Sequence, residues 1–194
     1  MSYKFNKVKI LVIDEMPPML KIVKSVLTVF GIGTVFTAEN GEDAYEIVRK
    51  EDPDLVITDW ISGSMTAMDF VQKIRRDEGV PNPYVPIIMM TGYSSRLRVE
   101  KARDIGATEF LVKPFSAQDL YTRVSNIIEK PRQFVDTGDF FGPDRRRRVG
   151  ENYSGPMKRG EDENKFYVDL SPEEQKQANN ILKDLQDDAK KLQD

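Results

Sequence analysis

The sequence predicts an α/β fold in which helices cover both faces of a parallel β-sheet. Five short apolar runs are too uniformly apolar for strands with one face in water, and amphipathic helical patterns separate them. Because strand and helix alternate throughout the first 130 residues, each crossover is expected to join parallel strands.

The predicted strands are buried runs bounded by turn residues. In chain order they are Val8–Ile13, Thr34–Thr37 (the least apolar), Leu55–Thr58, Val85–Met90 and Phe110–Val112. The predicted helices carry apolar residues at helical spacing, and Gly31 and Gly106 are stop signals for two of them. These helices span Met19–Phe30, the pattern around Ala44–Val48 after the Asn40-Gly41 turn, Phe70–Ile74, Leu97–Ile105 and Leu120–Ile128.

The chain changes character at Pro131, so we predict a domain over 1–130 and a separate tail. Residues 131–170 are rich in Gly, Pro, Asp and Arg without a sustained period, which indicates a linker of low intrinsic order. A capping box then begins at Ser171 and predicts an amphipathic helix over 171–194. We expect its apolar stripe to be covered by the α/β domain, by a second copy of the chain or by a partner protein.

The composition excludes several chemistries, since the 194 residues contain no histidine and no cysteine. A Ser-His-Asp triad, a Cys-His pair, a Cys/His zinc site and a disulfide framework are therefore absent. The formal net charge of -3 gives no global reason to bind nucleic acid. No apolar run is long enough to span a membrane and the N-terminus lacks a signal-peptide pattern, so we expect a cytoplasmic protein.

Polar side chains follow four of the predicted strands. Asp14-Glu15, Asp59, Thr91-Gly92 and Lys113-Pro114 come directly after strands one, three, four and five. Carboxyl ends of parallel strands meet at one edge of the sheet, which is where ligands of open α/β folds bind. Three acids at one edge require a cation, and oxygen-only donors favour Mg²⁺. With Lys113 and Thr91 available for phosphate oxygens, Asp59 is the best candidate for a phosphoryl acceptor.

This set of motifs resembles the response-regulator receiver domains of two-component signalling. The resemblance runs from about Val8 to Glu129 and is carried by Leu-Val-Ile-Asp14-Glu15, Ile-Thr-Asp59-Trp60, Met-Met-Thr91-Gly92 and Phe110-Leu-Val-Lys113-Pro114-Phe115. It implies a flavodoxin-like, doubly wound (βα)5 fold with sheet order 2-1-3-4-5. It also implies phosphorylation of Asp59 by a phosphohistidine on a partner histidine kinase or histidine phosphotransferase.

The same resemblance implies roles for the surrounding residues. Mg²⁺ would be held by Glu15, Asp59 and the main-chain carbonyl of Ile61, with Asp14 acting through water. Thr91 and Phe110 would be the switch pair, and phosphorylation would alter the face made by the fourth helix, fifth strand and fifth helix.

Several positions depart from the family pattern. Glu15 stands where many receivers have Asp, Gly92 leaves room beside the phosphate, and Phe110 replaces a common Tyr. The loop after Asp59 reads Ser-Gly-Ser-Met-Thr-Ala over 62–67 instead of the usual Met-Pro-x-Met-Asp-Gly.

The tail contains two segments in which an aromatic and Gly-Pro-x precede basic residues. The basic residues are Arg145, Arg146, Arg147, Arg148, Lys158 and Arg159. Three interpretations remain open: a solvated linker, a segment that docks on an acidic protein surface or on its own receiver, and a site for an anionic ligand such as RNA, phospholipid or a cyclic dinucleotide.

We therefore predict a stand-alone response regulator, not an enzyme beyond its own phosphorylation and dephosphorylation, that signals through a downstream protein. No DNA-binding domain fits the segment after residue 130. A pseudo-receiver adaptor that never accepts phosphate is the binding-module alternative. A haloacid-dehalogenase-type phosphatase is disfavoured, because Asp59-Trp60-Ile61 lacks the required Asp-x-Asp.

Overall fold

The structure, a computed structural model, describes residues 5–92, 96–138 and 140–144. A short 3₁₀ turn precedes a sheet whose five parallel strands alternate with five helices. The elements are β1 (Lys9–Ile13), α1 (Pro17–Val29), β2 (Thr34–Ala38), α2 (Gly41–Glu51), β3 (Leu55–Thr58), α3 (Ala67–Arg76), β4 (Ile87–Thr91), α4 (Arg96–Asp104), β5 (Glu109–Val112), α5 (Ala117–Glu129), β6 (Phe134–Asp136) and β7 (Phe141–Pro143).

The strand order of the large sheet is β2-β1-β3-β4-β5, with every neighbouring pair parallel. The predicted flavodoxin-like fold is therefore confirmed. The strand boundaries of β1, β2 and β5 differ from the prediction by one residue each, and β4 differs most, since it begins at Ile87 and includes Thr91 whereas the prediction was Val85–Met90. Pro86 lacks the amide proton that a central strand needs, which explains the later start.

Alternating side chains of each strand enter two separate cores. Ile10 and Val12 of β1 face the core beneath α1 and α5, whereas Leu11 and Ile13 face the core formed with α2 and α3. All four side chains are fully buried. Burial on both sides explains why the strand sequences are continuously apolar and not alternating.

Side-chain caps fix where two helices that flank the polar edge begin. The Thr66 hydroxyl accepts the Asp69 amide at the start of α3, and the Ser116 hydroxyl accepts the Asp119 amide at the start of α5. In both, the Asp carboxylate accepts a hydrogen bond from the backbone amide of the capping residue, which completes a capping box. These caps set the ends of the loops that carry the polar residues.

A two-stranded antiparallel hairpin, β6–β7, lies within the segment predicted to be a linker of low intrinsic order. Its aromatic residues pack around Tyr84: the ring centroids of Tyr84 lie 5.5 Å from Phe134 and 5.2 Å from Phe141. The guanidinium of Arg75 lies 5.1 Å from the centroid of the Phe134 ring. The hairpin therefore folds because the domain supplies contacts that the local sequence does not contain.

Arg75 is the buried anchor of this contact. It is 5% exposed, and its two terminal nitrogens donate to the carbonyls of Pro83 (2.6 Å) and Gly106 (3.0 Å). Burial lowers the pKa of Arg75 to about 9. Gly106 has a φ of +105°, and a side chain there would meet the carbonyl oxygen of Phe141 at 2.9 Å. Since these residues precede β4 and β5, the hairpin lies at the amino end of the sheet.

The predicted helix over 171–194 and the basic residues from Arg145 onward lie outside the described residues. Within the described ranges, none of the helices combines the length and the apolar character that crossing a membrane requires.

Candidate functional site

Two aspartates extend from adjacent strands at the carboxyl edge of the sheet. Asp14 follows β1 and Asp59 follows β3, and the Asp59 amide donates to the Ile13 carbonyl at 2.8 Å. Because β1 and β3 are parallel and pair Ile13 with Thr58, the next residue on each strand occupies the same level. The Asp14 side chain is completely buried, whereas 26% of the Asp59 side chain is exposed.

Lys113 joins the two carboxylates. Its Nζ donates to Asp14 Oδ2 and to Asp59 Oδ2, each at 2.8 Å. The backbone holds this lysine in place, since the Lys113 amide donates to the Thr91 carbonyl at 2.8 Å. The Lys113–Pro114 peptide bond is cis. The predicted convergence of strand ends one, three and five is therefore present as a set of direct contacts.

The pKa of the buried Asp14 carboxyl is perturbed by its surroundings. Burial raises the pKa of Asp14 above its usual range, while the hydrogen bond and charge of Lys113 and the Met16 amide oppose that rise. The nearby Asp59 carboxylate adds to the rise. A buried carboxylate of this kind depends on a cation, which Lys113 supplies here.

Glu15, the third acid, is hydrogen-bonded to the loop that follows Asp59. Its Oε1 accepts both the Ser62 amide (2.5 Å) and the Ser62 hydroxyl (2.8 Å). The Ile61 carbonyl accepts the Ala67 amide at 3.2 Å, while the Ile61 side chain is buried. Across the part of the chain that the structure describes, no three acidic side chains are grouped closely enough to hold a metal ion.

The remaining predicted residues flank this pair. Thr91 is 3% exposed and ends β4, opposite Val112 in the register. A side chain at the exposed Gly92 would meet no atom within 4 Å. Phe110 is half-buried and packs against the core under α2 and α3.

Sequence reasoning did not assign a role to Ser62. The only available signal was that the loop after Asp59 departs from the receiver pattern. The partner of Ser62 is 47 residues away along the chain, so no local pattern reveals it.

The family model described as "Response regulator receiver domain" matches residues 10–125. The chain belongs to the response regulator receiver family. This receiver is similar to "Chemotaxis protein CheY-3" of Vibrio cholerae, with 32% identity over 125 residues, 64% of this chain and 95% of the relative. "Chemotaxis protein CheY" of Pseudomonas aeruginosa is 30% identical over 122 residues, which cover 63% of this chain and 97% of the relative.

Solved receiver structures have the same architecture. A response regulator receiver domain protein from Clostridium thermocellum is 31% identical, with a TM-score of 0.57, over 63% of this chain and 95% of that one. Chemotaxis response regulator CheY4 of Vibrio cholerae is 28% identical, with a TM-score of 0.57, over 62% of this chain and 98% of that one. This receiver is thus a response regulator of two-component signalling, a class that is generally not enzymatic.

Proposed function

We propose that this receiver accepts a phosphoryl group on Asp59 from a phosphohistidine of a partner kinase or phosphotransferase. The observation that carries the proposal is the difference between the two carboxylates that Lys113 joins. Asp59 presents 26% of its side chain to solvent and Asp14 presents none. Of these two carboxylates, Asp59 is therefore the one accessible to a donor protein, while Asp14 lies buried beside it.

In the proposed transfer an Asp59 oxygen attacks the phosphorus atom of the phosphohistidine. The new O–P bond forms as the P–N bond breaks, and the imidazole of the partner leaves. Lys113 Nζ already lies 2.8 Å from Asp59 Oδ2, so its charge is placed to stabilise the phosphoryl oxygens. Thr91 at the end of β4 is the proposed hydroxyl donor to the same group.

The donor chemistry of the site fits a magnesium ion. Every predicted ligand is oxygen, and Asp14 and Asp59 lie close enough together for one cationic group, the Lys113 ammonium, to contact both carboxylates. The carboxylates of Asp14, Glu15 and Asp59 and the carbonyl of Ile61 would hold Mg²⁺. When bound, Mg²⁺ neutralises charge on the transferred group.

Signalling would follow from the change in charge at Asp59. We propose that Thr91 moves toward the phosphoryl group and that the half-buried Phe110 fills the space it leaves. Both residues lie on adjacent strands, and Phe110 pairs with Met89 of β4. The affected face, formed by α4, β5 and α5, would then bind a downstream protein.

Intact-mass spectrometry after incubation with acetyl phosphate and Mg²⁺ tests the acceptor. We expect the full chain to gain one phosphoryl group, and Asp59→Ala to gain none. Asp54→Asn is the matched control, since Asp54 lies at the opposite end of β3 and accepts the Lys9 amide. Absence of the adduct in the unaltered chain, which the adaptor alternative requires, or an equal adduct in Asp59→Ala, would disprove the proposal.

A further inference from the structure

The loop after Asp59 contains a second polar contact that phosphorylation chemistry does not require. Ser62 donates twice to a single carboxylate oxygen, Glu15 Oε1: through its amide at 2.5 Å and through its hydroxyl at 2.8 Å. Hydrogen bonds to an ionised acceptor are among the stronger ones in proteins. The Glu15 carboxylate is therefore directed to the loop by two donors of one residue.

The loop that presents Ser62 is itself fixed by other contacts. The Ser64 hydroxyl donates to Glu42 at the start of α2, and the Thr66 capping box fixes the following residues. Gly63, which lies between Ser62 and Ser64, adopts a φ of +95°, a conformation that glycine tolerates without strain.

The chain before Ser62 is also fixed, since the Ile61 side chain is buried and the Ile61 carbonyl accepts the Ala67 amide. Because Ile61 and the Thr66 capping box hold the loop on both sides of Ser62, the Ser62 donors stay in place if the Glu15 side chain moves.

The alternative position for Glu15 is the predicted metal site. Asp14 and Asp59 share Lys113, and Glu15 is the third carboxylate of the proposed ligand set. Nevertheless, the described residues contain no group of three acids placed to hold a metal ion. Because glutamate has one more methylene group than aspartate, we expect the Glu15 carboxylate to be able to occupy either the position bonded to Ser62 or the predicted metal site.

We infer that Ser62 is a positioning residue that holds Glu15 away from the metal site and so weakens the binding of a divalent cation. This inference rests on the proposed function, because the cation is the one proposed to serve Asp59. Cation binding must then compete with the two bonds from Ser62. The apparent affinity for Mg²⁺ is lower than the three carboxylates alone would provide.

The experiment is a Mg²⁺ titration of the full chain, followed by the fluorescence of Trp60, the only tryptophan, which is adjacent to Asp59. Displacement of Mn²⁺, followed by electron paramagnetic resonance, gives the same affinity without relying on Trp60. Ser62→Ala removes the hydroxyl bond, and we expect it to tighten Mg²⁺ binding about fivefold. Ser64→Ala is the matched control: it removes a hydroxyl of the same loop that bonds Glu42, while the Ile61–Ala67 bond and the Thr66 capping box still hold the loop, so the affinity should stay within about twofold.

A second background separates the contact from a general loosening of the loop. In Glu15→Asp the shorter side chain loses its reach to Ser62, so adding Ser62→Ala should then have no further effect on Mg²⁺ affinity. Unchanged or weaker binding in Ser62→Ala, or equal tightening in both backgrounds, overturns the inference.

The phosphoryl adduct distinguishes this failure from failure of the proposed function. If the unaltered chain accepts phosphate and Ser62→Ala binds Mg²⁺ no more tightly, the inference about Ser62 is wrong and the phosphoacceptor role stands. If the unaltered chain neither binds Mg²⁺ nor accepts phosphate, both are wrong.

Discussion

Replacing Lys113 by methionine tests how much of the fold depends on the charge at the carboxyl edge. Methionine keeps most of the apolar stem and removes the ammonium group that lies 2.8 Å from both Asp14 and Asp59. Removing one partner of a buried ion pair costs about 3–5 kcal/mol. Because Asp59 is 26% exposed and retains some hydration, we expect a loss at or just below the lower limit of that range, about 2–3 kcal/mol at pH 8.

The loss should depend on pH in a defined direction. Burial raises the pKa of Asp14 and Lys113 opposes the rise, so the pKa of Asp14 increases further in Lys113→Met. A carboxyl whose folded-state pKa exceeds its unfolded value destabilises the fold as pH rises through the folded pKa, and this penalty is absent below the unfolded pKa. The difference in stability between Lys113→Met and the unaltered chain should therefore be largest at pH 8 and shrink as the pH falls.

Urea unfolding in EDTA measures this difference, with EDTA present so that no divalent cation replaces the lysine. At an m-value of about 2 kcal/mol/M, the expected loss lowers the midpoint by about 1–1.5 M at pH 8. Adding Asp14→Asn to Lys113→Met should restore most of the midpoint, because the buried charge is then gone. A deficit at pH 8 that does not shrink as the pH is lowered and is unaffected by Asp14→Asn would refute this account of the site.

Two further predictions concern contacts away from the proposed phosphoacceptor. Phe134→Ala removes the ring that packs on Tyr84, Phe141 and Arg75, and should weaken hairpin docking by about 2 kcal/mol. Hydrogen exchange of the backbone amides over β6–β7 should then accelerate about 30-fold. Unchanged exchange would contradict the anchor role of this contact. The Tyr45 hydroxyl donates to Asp77 at 2.6 Å and is the largest cause of that carboxyl's lowered pKa. We therefore expect Tyr45→Phe to raise the pKa of Asp77 in an NMR titration. The bond stabilises the unaltered chain above that pKa and this stability is lost as the pH falls through it, so Tyr45→Phe should lack the contribution. An unchanged pKa of Asp77 would show that the bond is absent.

The fold follows from local sequence because its strands are buried on both faces. Continuous runs of apolar residues such as Leu55–Thr58 indicate the strands, and apolar residues at helical spacing indicate the intervening helices. The edge on which Asp14 and Asp59 meet then follows from the parallel connection of the strands. Asp59 as the phosphoacceptor stays a prediction, which acetyl phosphate labelling can test.

The hairpin could not be predicted in the same way. Each of its strands has only three residues, and β7 contains glycine and proline, which weaken any strand signal. Its stability depends on Arg75, Tyr84 and Gly106, which are distant in sequence. Local composition therefore indicated a linker where tertiary contacts produce a folded element.

The sequence by itself determined the fold class and the residue types at the carboxyl edge, because burial pattern and strand connection are encoded locally, and the resemblance to receivers implied the sheet order. Only the tertiary structure decided which partners those residues take. Lys113 bonds both Asp14 and Asp59, and Glu15 bonds Ser62. Each of these contacts joins side chains 47 to 99 positions apart, so it depends on the geometry of the folded chain and leaves no periodic or local trace in the sequence.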